Sequence, residues 1–540
     1  MGGGAETSGL SRREFMKGAA AGAAFAAGGG ALFAGAEAAS AARGGGARKD
    51  NPGAGSRDLM LVNGKFVDGR GVVADGLTIK NGRIVDVGRA RSLGPGTEKI
   101  NLKGHTVIPG FVDSHAHFTR TGTNPGYETR WVETAFSIAE LQQVIADRAA
   151  TVPPGGFITA AGGWNQNQLA ERRLPTKAEL DAAAPNHPVY LNGRTNSLGE
   201  AFFESRGINV DDVTGQVAST AQATAALRAI QTFEDKVRGT ADAIAFAAAT
   251  GLTMIHDTSN LTVQPDDYAI MNTLYHRSGR SLDVRMRHYR YWGNATTVEQ
   301  LATYMDPIFR EAGDDTYRIN GVGEQIGSAD NYHEHLRAVA RAGWRDTQHT
   351  LSAADHPHHF EVMTMVGQEF DVSDLRWSLA HVTLATEEQI MDLKAVGAGV
   401  TVQDFSYLGS GRGAPFRMIV DSGIPVGGGT DSTNVAPLNP WLSLFYMTTG
   451  RNLSGTLTND GQQISRLEAL RLYTVGSAWM SKEEDEVGSL EVGKLADLAV
   501  LSDNYLTVPD DRLRKMTSLL TLQGGRVVHA AGDFAGLAGA

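Results

Sequence analysis

TVIPGFVDSHAHF, residues Thr106 to Phe118, opens with an apolar run, turns at Pro109 and Gly110, and ends in two histidines. It reads as a buried strand carrying His115 and His117 at its carboxyl end. Side chains two residues apart on a strand share a face. Both imidazoles can therefore reach one metal ion, and neutral imidazole is the commonest metal ligand. Ala116 points the other way, into packing. The bland alternative is two metal-free strand histidines; the apolar strand and the PGFVD lead-in favour ligands.

On the amino side, Leu59–Val62 and Lys65–Val67 flank Asn63-Gly64, and Leu77–Lys80 and Arg83–Val87 flank Asn81-Gly82. Both read as small β-hairpins. Similar short strands return near the end, around Leu495–Leu501 and Gly525–Val528. Between about 112 and 480, apolar strand candidates such as Thr253–Ile255, Tyr317–Asn320, Trp377–Ala380, Gly399–Val402 and Ile424–Val426 alternate with helical stretches such as Ile138–Ala150 and Ala241–Thr250. Such alternation argues a parallel α/β sheet. The stretch 119–240 is too long for one βα connection and reads as an inserted lobe. Its most unusual segments hold Trp164 and Arg194, taken as substrate contacts.

The chain has 540 residues and a formal net charge of -11. An acidic surface without a basic stripe excludes a nucleic-acid partner. There is no cysteine, so no disulfide forms and any metal site must use nitrogen and oxygen donors. Ser11-Arg12-Arg13-Glu14-Phe15-Met16-Lys17, followed by a weakly apolar Ala/Gly stretch, reads as a twin-arginine signal over 1–42 with a linker over 43–56. The expected location is periplasmic, cell-surface or extracellular. The stretch is too glycine-rich and short to span a membrane, so no membrane span is expected after signal removal.

PGFVDSHAHF resembles the first-strand signature of the amidohydrolase superfamily, and GSLEVGKLADLAVL, residues 488–501, resembles its C-terminal signature. The closest group is the one labelled amidohydrolase family 3, which includes N-substituted formamide deformylase. The resemblance implies a (β/α)8 TIM-like barrel over 109–485, with sites at the carboxyl ends of the strands. It also implies a small β-sandwich made from segments 57–108 and 486–535. Family members recur as oligomers, so a homo-oligomer is a further expectation.

The rest of the ligand set follows from the resemblance. Many relatives carry a modified lysine on the fourth strand that bridges two metals. Here that strand carries Arg318, which cannot be carbamylated, and Glu324 just beyond it is expected to bridge instead. His349 falls at the fifth-strand ligand position and His381 at the sixth. Asp431, in Gly427-Gly428-Gly429-Thr430-Asp431, matches the eighth-strand aspartate, which binds metal and takes a proton from the attacking water. A metal lowers the pKa of its water to about 7. One or two divalent ions are expected, zinc by default for such donors.

Other histidines need separate readings. His333 and His335 form a second HxH, but in a helical context, where they lie about 200° apart and cannot share a metal. Asp355-His356-Pro357-His358-His359 reads as a loop after the fifth strand. His256, after Thr253–Ile255, reads as a substrate contact or a hydrogen-bonded support. Together these features imply a metal-dependent hydrolase acting on a carbon–nitrogen bond in a small amide or cyclic amide, with Asp431 as general base. A hydrolytic deaminase is the alternative within enzymes, and an exported metal-site protein that binds without turnover is the alternative outside them.

Overall fold

The computed structural model describes residues 57–258, 265–290, 297–306, 309–324, 332–403, 412–432 and 436–538. The signal and linker expected over 1–56 lie outside the described residues.

Eight parallel strands form one sheet in chain order: β1 (Phe111–Ala116), β2 (Leu252–Asp257), β3 (Arg285–Arg290), β4 (Tyr317–Glu324), β5 (Asp346–Thr350), β6 (Ser378–His381), β7 (Gly399–Val402) and β8 (Val426–Gly428). The last strand returns to the first. The Asp431 N–H donates to the His115 carbonyl (2.8 Å), and the His117 N–H donates to the Ser432 carbonyl (3.1 Å). This is the (β/α)8 barrel, with its main apolar core packed between strands and helices.

Five helices matter for the site: α1 (Phe118–Gly122), α2 (Thr220–Ala229), α3 (Phe233–Thr250), α4 (Tyr332–Ala342) and α5 (Asp355–Glu369). α3 is a full turn and more longer than its apolar stretch suggests. Thr232 and Asp235 form a capping box at its start, and Gly251 ends it at φ 95°. α4 carries His333 and His335 on a helix, as expected. The 355–359 segment is not a loop: it is the opening of α5. Pro357 lies in the first turn, where a missing N–H breaks no helical hydrogen bond.

The N- and C-terminal segments of the described residues meet in a small β unit beside the barrel, built as one mixed sheet rather than a sandwich. Leu498–Leu501 pairs antiparallel with Thr106–Pro109, and Thr106–Pro109 pairs parallel with Leu59–Asp68. One core of Leu59, Leu61, Phe66, Leu77, Leu498 and Leu520 holds both segments. Asn81-Gly82 is the tight turn expected, both residues at positive φ. Asn63-Gly64 is not a turn: it lies within the single ten-residue strand Leu59–Asp68, at a shift of register. The shift lets the first half of that strand pair with Glu98–Asn101 and the second half with Thr106–Pro109.

The inserted lobe has its own four-stranded sheet and apolar clusters. One set of contacts joins it to the loop after β8, and another ties its end back to the segment after α1. Glu133 accepts from the Leu438 N–H while the Arg130 guanidinium donates to the Ala436 carbonyl (3.2 Å). The Gln231 amide donates to the carbonyls of Thr123 and Asn124 (3.1 and 3.0 Å).

Candidate metal centre

Six side chains from five strand ends converge at the barrel mouth. His115 is the next-to-last residue of β1 and His117 follows the strand; Glu324 ends β4, His349 lies in β5, His381 ends β6, and Asp431 follows β8. Glu324 sits centrally. Its Oε2 lies 2.9 Å from His117 Nε2 and 3.3 Å from His115 Nε2, and its Oε1 lies 2.6 Å from His349 Nδ1. Asp431 Oδ1 lies 3.1 Å from His117 Nε2 and 3.7 Å from His115 Nε2. His381 Nε2 is 3.0 Å from His349 Nδ1. Glu324 was expected just beyond its strand. Instead β4 runs through Gly321-Val322-Gly323 to Glu324, in register with Asp346–Gln348 of β5.

The backbone is bent to aim these groups. His381 (φ 71°) and Asp431 (φ 54°) both occupy the left-handed region, uncommon for residues with a Cβ and concentrated at functional sites. Gly429 allows the close crossing of strands, because a Cβ there would lie 2.8–2.9 Å from His115 backbone and Cβ atoms. Asp113 fastens this seam: it accepts from the N–H groups of His115 and Thr430 and from the Thr430 hydroxyl. Its motif made Asp113 visible in the sequence, but its partner 317 positions away in the chain was not.

The donors fit a cation. His115 is fully buried, yet neither ring nitrogen makes a hydrogen bond of good geometry. Three overlapping triplets have ligand atoms within 4.8 Å of one another: His115, His117 and Glu324; Glu324, His349 and His381; His115, His381 and Asp431. Burial alone would push the His117 imidazolium down, but Glu324 and Asp431 hold it well above the ordinary histidine value. Burial likewise opposes ionised Glu324, and His117 and His115 hold it well below the carboxylate range. A divalent ion can take the place of the protons in such a mixed array, since imidazole must be neutral to bind metal.

Residues 98–529 match the amidohydrolase family. The chain belongs to this family. N-substituted formamide deformylase from Arthrobacter pascens is 23% identical over 87% of this chain and 98% of its own. Imidazolonepropionase from Symbiobacterium thermophilum is 27% identical over 79% of this chain and 83% of its own. Among solved structures, a metal-dependent hydrolase from Pyrococcus horikoshii OT3 matches with a TM-score of 0.55 at 20% identity, covering 84% of this chain and 99% of that one. A mutant of atrazine chlorohydrolase from Arthrobacter aurescens TC1, complexed with zinc and atraton, matches with a TM-score of 0.56 at 17% identity, covering 87% and 95%. The structural likenesses show the fold. Family membership makes the chain a metal-dependent hydrolase acting on carbon–nitrogen bonds.

Not every expected site residue joins the amidohydrolase's cluster. Trp164 is buried in the lobe core with Val132, Ile138 and Leu141, and its indole N–H donates to the Ala160 carbonyl (3.3 Å). Arg194 donates to the Thr214 carbonyl within the lobe (3.2 Å). Arg318 lies near the start of β4, where it faces Glu483 (3.5 Å) rather than the mouth. His256 is fully buried in β2, opposite Arg287 of β3, and neither of its ring nitrogens has a hydrogen-bond partner. Burial pushes its pKa down to about 3. It is therefore a neutral histidine of the barrel wall.

Proposed function

We infer that His115, His117, Glu324, His349, His381 and Asp431 hold two divalent ions, zinc by donor chemistry, for hydrolysis of a small N-substituted amide or a cyclic amide. The carrying observation is Glu324: one oxygen faces His115 and His117 while the other faces His349. A carboxylate so placed could be shared by two ions, which His115, His117, His349, His381 and Asp431 would also help to hold. The amide substrate is supported by the relative named for N-substituted formamide.

A divalent ion there supplies Lewis acidity to a substrate carbonyl and makes water a better acid. Asp431, within 3.1 Å of His117 Nε2, is placed to accept the proton of the attacking water and pass it to the leaving nitrogen. Burial of the cluster strengthens each of these charge interactions. Export through the twin-arginine signal belongs to the same reading. Recovery of the mature chain only from the cytoplasmic fraction would count against it.

Metal content per chain, measured beside Glu324→Ala, tests the site. About two ions, falling to one or fewer in the variant, support the bridge. One ion in both proteins would replace it with a mononuclear centre, and no ion in either would remove the metal site altogether.

A further inference from the structure

We propose that Gln403 is a positioning residue of the metal centre: its side-chain amide holds the His381 backbone in the turn that aims the imidazole at the other ligands. This rests on the metal-centre reading and deepens it.

His381 belongs to two of the three ligand triplets, with His115 and Asp431 in one and with Glu324 and His349 in the other. Its ring centroid lies 4.5 Å from that of His349 and 5.4 Å from that of His115. A small rotation of this one residue therefore disturbs donors throughout the centre. Its backbone is strained. The Val382 N–H donates to the Ala380 carbonyl (3.0 Å), closing a three-residue turn with His381 at its middle at φ 71°. Three-residue turns with a positive φ at the middle are rare. Such a conformation persists only where its surroundings over-determine it.

The strand ladder on the β7 side does not supply that hold. β6 stays paired to β5 as far as His381, opposite Thr350. Its ladder to β7 runs through Ser378–Gly399, Leu379–Val400 and Ala380–Thr401, and stops one residue short of His381. Where the backbone partner ends, a side chain takes over. The His381 N–H donates to Gln403 Oε1 (2.8 Å). Gln403 Nε2 donates to the Thr401 hydroxyl (2.6 Å), which fixes the direction of the amide oxygen. His381, Thr401 and Gln403 are all buried. β7 gives the centre none of its six metal-facing side chains. Gln403, immediately after it, contributes through His381 instead.

Zinc alone is the probe. Affinity is read by competition with a chromophoric chelator, and metal content after dialysis is read beside it. Gln403→Leu removes the acceptor at nearly the same size. It should weaken zinc binding by about 10–100-fold, the range for groups that orient metal ligands. Thr401→Val leaves Gln403 in place without its anchor and should weaken binding less, in the same direction; it carries the test if Gln403→Leu does not fold. Val402→Ala, a buried apolar truncation on the same strand, should lower the thermal midpoint with zinc affinity unchanged. A double-mutant cycle decides whether Gln403 acts through His381. His381→Ala should itself weaken zinc binding, and adding Gln403→Leu should then change affinity by less than about twofold. A full further loss in that background would overturn the proposal and leave the metal centre standing. So would wild-type zinc affinity in both Gln403→Leu and Thr401→Val. A wild type that binds no zinc, or whose affinity is indifferent to His381→Ala, would overturn the metal reading and the proposal with it.

Discussion

Asp431 holds a left-handed backbone (φ 54°) and hydrogen-bonds through its N–H to the His115 carbonyl. Asparagine tolerates that conformation better than most residues. Asp431→Asn should therefore keep the fold and thermal midpoint while turnover falls by roughly 10²–10⁴-fold, the usual scale for a lost general base. Wild-type turnover in the variant would move the proton-accepting role elsewhere. His256 gives a second residue-scale outcome. Its folded pKa of about 3 lies below the unfolded value of 6.5 because burial disfavours its charged form. Between those values the unfolded chain binds a proton that the folded chain does not. The stabilisation is complete above pH 6.5 and is lost as pH falls, at about 1.4 kcal/mol per pH unit. His256→Leu should lower that part of the acid sensitivity, read as urea midpoints at pH 7 and pH 5. Identical pH dependence in both proteins would show that the buried imidazole does titrate normally. His115, His117 and Asp431 were legible because HxH and GGGTD place their chemistry within a few positions, whereas Glu324, His349 and His381 were reached only through the family resemblance. His256 was half legible: its strand position was clear, but the absence of partners depends on β3 beside it.

At the scale of elements, the seam between β8 and β1 is the tightest part of the centre. Gly429 crosses so near His115 that an added Cβ would press on backbone atoms, which cannot rotate away as a side-chain tip can. Gly429→Ala should destabilise by about 1–3 kcal/mol, in line with overpacking elsewhere. It should also lower metal content, because the displaced strand carries His115. An unchanged thermal midpoint with full metal loading would show that the seam yields. Periodicity revealed the strands but not their ends. β4 extends through two glycines that look like a turn, because its ladder to β5 satisfies the backbone there. The two Asn-Gly pairs are alike in sequence, yet one makes a turn and the other lies inside a strand. Only the neighbouring strands at Glu98–Asn101 and Thr106–Pro109 distinguish them.

At the scale of the whole molecule, the barrel and the terminal sheet are joined by buried charge. Arg285, the first residue of β3, donates to both Asp497 oxygens (2.9 and 3.2 Å), and Asp497 also accepts from the Gly524 N–H (2.6 Å). Asp497 stands in the C-terminal signature, so its presence was legible, but its partner 212 positions earlier was not. The Asp497 carbonyl meanwhile accepts from the Gly110 N–H, at the turn that leads into β1. One residue thus ties the sheet to both the third strand and the entry of the first. Asp497→Ala leaves the Arg285 charge buried without its partner, which costs about 3–5 kcal/mol. Barrel and sheet should then unfold together at a lower midpoint, as one transition by circular dichroism and by tryptophan fluorescence. Adding Arg285→Leu removes the stranded charge, and replacing both members of a buried pair by apolar groups is often close to neutral. The double variant should therefore recover most of the loss. A double variant no more stable than Asp497→Ala would show that the Gly524 and strand-entry contacts, rather than the ion pair, hold the two parts together.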